Sequence, residues 1–173
     1  MTTPQESVAS ELEPVLLELG KALFICQGFE GTLVLLLSTI SHEKADAEDG
    51  AFTAAYDLFS EKTLGHLLKK LSKELEPLPP ELSKYLTEAW NRRNWIVHQF
   101  LHEAVSDLSS PKGRLHAEAQ LVEAKLKVKT ADVVANKILD LYLQKYGISV
   151  ASLKANADRL WEHMNRPASE AVH

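Results

Sequence analysis

Glycine and proline, the two residues that most often interrupt regular secondary structure, are scarce and widely spaced in this chain of 173 residues. Residues 81–110 and 114–146 contain neither. In residues 16–40 and 82–104 the apolar residues recur every three or four positions, which is the period of one helix face. Aromatic residues make up 7% of the chain, which is thin for a β-sandwich. The pattern therefore predicts an all-α protein.

The predicted architecture is an up-and-down bundle of four or five helices, of which two or three are long. We expect a single domain over residues 10–164, between a flexible N-terminus (1–9) and a frayed C-terminal tail (165–173). Serine caps, proline near helix starts and glycine at helix ends suggest the boundaries. The predicted helices run from Ser10–Pro14 to Ser41, over Phe52–Phe59, Leu64–Leu75, Glu81–Val105 and Leu115–Tyr146, and from Val150 to Met164.

Charge and composition exclude several classes of protein. The formal net charge is −5, so a broad basic surface for sequence-independent nucleic-acid binding is not expected, although a small basic pocket is compatible with it. Cys26 is a single cysteine, which suits a reducing compartment. The N-terminus has no basic or apolar signal region, and the apolar run Leu33–Leu37 is too short to span a bilayer. We therefore expect a cytoplasmic protein with no membrane contact.

Residues 91–100 carry the most informative pattern, Asn-Arg-Arg-Asn-Trp-Ile-Val-His-Gln-Phe. On a helix, Arg93 falls within the apolar stripe, where a guanidinium needs an anionic or hydrogen-bonding partner. Asn94 and His98 lie on the adjoining polar face. An arginine fork suits a phosphate, and an imidazole suits proton transfer near neutral pH. This helix is therefore the candidate functional site.

The segment from Arg93 to His98 resembles the signature of the HEPN domain family, which has an arginine, often a polar residue directly after it, and a histidine after four to six residues. The resemblance implies a helical homodimer, and many HEPN proteins are metal-independent endoribonucleases. The resemblance implies that Arg93 binds the scissile phosphate, that His98 transfers the proton and that Asn94 has an orienting role. It implies no cofactor and no metal. By the same hypothesis RNA contacts come from Arg92, Trp95 and His102. In one antitoxin-paired subgroup a tyrosine lies two residues after the histidine, and here that position is Phe100.

A second interpretation of these residues requires no catalysis. Arg93 would pair with a polar position on the first helix, formed by Glu30 and Gln27, and the protein would be a non-catalytic interaction module. Such a module would be an inactive HEPN dimer or a toxin–antitoxin component that binds RNA or a partner protein.

Three weaker signals complete the sequence-based hypotheses. His98 and His102 have the spacing of a helical zinc site, but Gln99 replaces the glutamate that a zincin requires, so no metal is predicted. Cys26 is predicted to be a small core residue. The lysines at 69, 70 and 73 could guide RNA, but the alternation of lysine and glutamate favours a solvated helix face.

Overall fold

A computed structural model of the chain describes residues 4–45 and 49–147, and in these residues it contains helices and no β-strand. The predicted all-α bundle is confirmed. The α-helices are α1 (Pro4–Lys44), α2 (Ala51–Ser60), α3 (Leu64–Glu74), α4 (Pro80–Asn94), α5 (Phe100–Ala104) and α6 (Pro111–Gln144). A π-helical turn, Trp95–Gln99, joins α4 directly to α5, and a 3₁₀ turn, Asp107–Ser109, precedes α6. We call the continuous segment from Pro80 to Ala104 the motif helix.

Proline, serine and glycine set most of these boundaries. Pro80 and Pro111 each occupy the first turn of a helix, where the missing N–H leaves no hydrogen bond unmade. The hydroxyl of Ser110 accepts a hydrogen bond from the Gly113 backbone N–H at 3.0 Å, which starts α6 four residues before the predicted Leu115. Gly147 has a φ of 67° and follows the end of α6, as predicted.

The start of α1 differs from the prediction. The helix begins at Pro4, not near Ser10, and it continues through Pro14 to Lys44. Proline was expected only in the first turn, because it lacks an N–H and crowds the preceding turn. Val15, directly after Pro14, is buried at 3% exposure, so packing supports the helix at this position. The predicted helix over 150–164 and the tail over 165–173 lie outside the described residues.

The directions of the three long helices follow from their polar contacts. In the polar contacts between α1 and α6, residues with higher numbers on α1 pair with residues with higher numbers on α6, so the two helices run parallel. The motif helix runs antiparallel to α6, because Glu88 pairs with Lys127 and Arg92 with Glu123. The contacts between α1 and α6 are Glu11 with Arg114, Glu18 with Lys125, Thr32 with Asp132, and Glu43 with Lys145.

The core lies where these helices meet. The buried stripe of α6 contains both small and large residues, and its alanines let α1 approach closely. On α1 the prediction was correct for Cys26, Leu33, Leu37 and Ile40, which are buried, but wrong for Leu16 and Leu23, which are exposed. The α6 stripe consists of Ala117, Leu121, Ala124, Val128, Ala131, Ala135, Leu139 and Leu143.

The first helix also bears on the membrane prediction. The helical stretch over residues 10–44 is long and apolar enough to cross a bilayer, and its most apolar window has a mean hydropathy of 1.7. Of that window, 56% is buried inside the bundle. A buried core helix meets the same criterion. This helix is therefore weak evidence either for or against a membrane contact.

Candidate functional site

A change of helical phase positions the candidate site. Trp95–Gln99 forms a π-helical turn, which accommodates one more residue than an α-helical turn and rotates everything that follows. Within this turn Ile96 is buried, at 3% exposure, whereas Val97 is 39% exposed. Val97 and Leu101, predicted to face inward, both lie on the surface. His98 lies within this turn and is exposed.

Arg93 pairs with Glu30, which joins the motif helix to α1. The Nε of Arg93 donates a hydrogen bond to a carboxylate oxygen of Glu30 at 2.7 Å. The two side chains are 21% and 29% exposed, so the pair is shielded but still reachable from solvent. The predicted contact with Glu30 is confirmed. Gln27, the other predicted partner, is exposed on α1 and makes no hydrogen bond to Arg93 among the described contacts.

The other end of the guanidinium faces Asn94 and His98. Nη1 of Arg93 lies 3.4 Å from Oδ1 of Asn94 and 3.4 Å from Nε2 of His98. These distances are at the long limit of hydrogen bonding. Because a guanidinium can only donate, a hydrogen bond between these two groups would use Nε2 of His98 as the acceptor. The three predicted catalytic residues therefore lie together.

Cys26 lies within electrostatic range of the Arg93–Glu30 pair and is buried on α1. Burial raises the pKa of its thiol to about 11, while the charge of Arg93 lowers that pKa and Glu30 raises it further. The thiol therefore stays protonated near neutral pH and is not a nucleophile. The prediction that Cys26 is a core residue is confirmed.

Of the three residues predicted to contact RNA, Arg92 and Trp95 have side-chain partners of their own. Arg92 pairs with Glu123 of α6 at 3.5 Å. The indole N–H of Trp95 donates to Glu103 at 2.7 Å, and its ring packs edge-on against Phe100 with centroids 5.3 Å apart. Trp95 is thus held by its neighbours. His102 is exposed. Within residues 4–45 and 49–147 there is no group of three or more His, Cys, Asp or Glu side chains placed to hold a metal.

Two features near the site were missed by the sequence analysis. The first is an exposed apolar ridge beside His98, formed by Val97, Leu101 and Val105. The second is a cavity of about 230 Å³ between α3 and α4, walled by Trp90. Trp90 was predicted to be a core residue but is 41% exposed. The spacing of residues 97, 101 and 105 could have revealed the ridge, but the cavity depends on how α3 packs against α4.

No protein-family model, curated protein or solved structure matches this chain. The HEPN resemblance therefore stays a prediction that rests on the motif residues, and the function has to be inferred from the side chains of the site.

Proposed function

We propose that this chain is a HEPN-like, metal-independent endoribonuclease that acts as a homodimer. The observation that carries the proposal is the exposed His98, whose Nε2 lies 3.4 Å from the guanidinium of Arg93. A general base and a phosphate-binding cation are thereby adjacent on one helix. Asn94 lies against the same guanidinium nitrogen and helps to orient it.

The arrangement suits attack by a ribose 2′-hydroxyl on the neighbouring phosphate. His98 takes the hydroxyl proton, the 2′-oxygen bonds to phosphorus, and the 5′-oxygen of the next nucleotide leaves with a proton from a general acid. The products are a 2′,3′-cyclic phosphate and a free 5′-hydroxyl. Glu30 holds only Nε of Arg93, so the terminal nitrogens can donate to the phosphate as its negative charge grows.

A dimer supplies the second proton-transfer group. One chain offers one His98, whereas general base and general acid catalysis call for two groups. The exposed ridge of Val97, Leu101 and Val105 adjoins His98, and a two-fold interface there would bring both copies of His98 together. We expect Leu101→Asp to shift a dimer toward monomer in sedimentation experiments and to lower cleavage. Thr130→Asp, on the exposed side of α6, is the control for an added surface charge.

The central experiment is RNA cleavage in EDTA by wild type, Arg93→Lys, His98→Ala and Arg92→Lys. Arg92 is the matched control, since its ion pair with Glu123 lies outside the site. We expect the Arg93 and His98 substitutions to lower the rate about 100-fold or more and the Arg92 substitution to change it little. Absence of cleavage by wild type, or equal cleavage by all folded variants, contradicts the nuclease proposal.

The second candidate is a non-catalytic HEPN-like interaction module. The observation that favours it is the bond from Arg93 to Glu30, because a guanidinium already neutralised by a carboxylate needs no phosphate. This reading predicts RNA or protein binding without cleavage. It also predicts that His98→Ala leaves binding unchanged, which a binding titration with a fixed RNA would measure.

A further inference from the structure

The cavity between α3 and α4 combines an apolar floor with a polar rim. Leu68, Leu78 and Leu86 line its base, and the indole of Trp90 forms one wall. The rim carries one ammonium and three hydroxyls, from Lys69, Ser72, Ser83 and Thr87. An aromatic wall, an apolar floor and a few polar groups are the usual composition of a small-ligand site.

The size of the cavity limits what it can hold. Its volume is about 230 Å³. A cavity of about 150 Å³ holds one benzene ring, and pockets that enclose drug-sized ligands begin near 300 Å³. The space therefore fits one flat group of one or two rings, with the remainder of the ligand outside.

Gly65 allows the indole to lie close to α3. A Cβ atom at this position would lie 3.4 Å from Nε1 of Trp90 and 3.7 Å from Cε2, so a longer side chain would compete with the indole or enter the cavity. Trp90 nevertheless stays 41% exposed, and its N–H makes no hydrogen bond to any described residue. The indole is thus held in position but has surface left for a ligand.

The rim groups are free of partners within the described part of the chain. Lys69, Ser72, Ser83 and Thr87 are exposed and make no ion pair or side-chain hydrogen bond there. The next residue, Lys70, differs from Lys69, since it forms an ion pair with Glu74. A cation and several hydroxyls around an aromatic wall can meet both the polar edge of a nucleobase and the phosphate that follows it.

The cavity lies beside the proposed RNA site. Trp90 precedes Arg93 by three residues on α4, which is about 4.5 Å along the helix axis. Residues three positions apart are neighbours on a helix surface, so we expect a strand whose phosphate meets Arg93 to place an adjoining base near the cavity. We propose that this cavity binds one nucleobase of the RNA, stacked on Trp90, with Lys69 on a flanking phosphate. The inference rests on the proposed RNA substrate and extends it to base recognition.

The test is a titration of isotope-labelled protein with each of the four ribonucleoside 5′-monophosphates, followed by the indole N–H signal of Trp90. The signal is assigned by its loss in Trp90→Phe. We expect a saturable shift with at least one nucleotide and none with ribose 5-phosphate, which lacks a base. Trp90→Ala should weaken binding about 5- to 150-fold, the range for loss of one stacked base. Gly65→Leu, which keeps the tryptophan, should also block binding.

Two controls separate this inference from the nuclease proposal. Arg93→Ala should abolish cleavage but leave mononucleotide binding within about threefold. A shift that persists in a protein with no cleavage activity supports the base site and contradicts only the nuclease. Cleavage that depends on Arg93 without a nucleotide-induced shift overturns the base site alone. An equal response to phenyl phosphate overturns the assignment to a nucleobase.

Discussion

Gly113 in the first turn of α6 is the position where this fold is least tolerant of a side chain. A Cβ atom there would lie 2.1 Å from the carbonyl oxygen of Asp107 and 2.6 Å from its carbonyl carbon. Carbon–oxygen contacts in proteins are seldom much shorter than 3.3 Å, so the 3₁₀ turn and α6 would have to separate by about 1 Å. Gly113→Ala should therefore destabilise the protein, although alanine is the better helix former.

The expected magnitude follows from the contacts that this separation would break. The bond from Gly113 N–H to Ser110 caps α6, and such a cap contributes about 1 kcal/mol. The bond from Arg114 to the Leu108 carbonyl at 3.1 Å contributes about as much, and residual overlap adds about 1–2 kcal/mol. Subtracting about 1 kcal/mol for the gain in helix propensity leaves a net loss of about 2–3 kcal/mol.

The assay is urea unfolding of wild type, Gly113→Ala and Gly20→Ala, with the free energy extrapolated to water. Gly20 is the matched control because it lies within α1 and an added Cβ meets nothing within 4 Å. Gly20→Ala should stabilise the protein by about 0.5–1 kcal/mol. The reasoning is refuted if Gly113→Ala unfolds within about 0.5 kcal/mol of wild type, or if both substitutions act in the same direction.

Three further predictions concern buried polar groups. Lys125→Met should cost about 2–4 kcal/mol in urea unfolding, because it leaves the buried carboxylate of Glu18 without its main partner. The hydrogen bond from Lys125 holds the pKa of Glu18 below its usual 4.5. The stabilisation by this pair is therefore present above pH 4.5 and disappears as the pH falls through the lowered pKa. If the stability of wild type relative to Glu18→Gln did not fall between pH 6 and pH 3, this prediction would be contradicted. Cys26 should react with a thiol reagent at pH 8 only at the rate of unfolding, and a fast reaction of the folded protein would be the contrary result. Thr32→Val should cost about 1–2 kcal/mol, since the hydroxyl donates to Asp132 at 2.7 Å, and Thr130→Val, on the exposed side of α6, should cost much less.

The helical class and several boundaries could be predicted because local chemistry decides them. Pro80 and Gly147 act through their own backbone geometry and Ser110 through a hydroxyl that caps the adjoining helix, and none of these effects depends on distant parts of the chain. The start of α1 could not be predicted in the same way. The helix passes Pro14 because packing after this residue outweighs a local defect, and packing is not a property of the local sequence.

Predictions for the motif helix were mixed around the π-helical turn, since Phe100 and Ala104 are buried as predicted, whereas Val97 and Leu101 are exposed. A constant rotation of 100° per residue places Leu86 and Ala89 correctly in the core. At the same rotation Ile96 and Val97 lie about equally far from the direction of Leu86 and Ala89, so a constant rotation does not decide between them, and within the π-helical turn Ile96 is the residue that is buried. The sequence has no proline or glycine in Trp95–Gln99 that would indicate the change from an α-helix to a π-helical turn.

The candidate site was predictable to the extent that it rests on electrostatics. A guanidinium among apolar neighbours requires a partner, and Glu30 interrupts an apolar stretch of α1, so the pair could be anticipated from charge alone. The cavity beside Trp90 could not, because its walls come from α3, α4 and the segment between them. Only the packing of those elements brings Lys69 and Thr87 to one rim.

The geometry of the Arg93–Glu30 bond bears on which of the two proposed functions is the better one. A carboxylate whose sole task is to neutralise a guanidinium is best served by two parallel hydrogen bonds. Here one oxygen of Glu30 accepts from Nε, and Nη1 is directed instead toward Asn94 and His98 through contacts of 3.4 Å. Those long contacts are easily exchanged for a phosphate oxygen, while the bond to Glu30 keeps the side chain in place. The arrangement thus fits a cation that is fixed at one end and available at the other, which a phosphate-binding site requires and a purely structural ion pair does not.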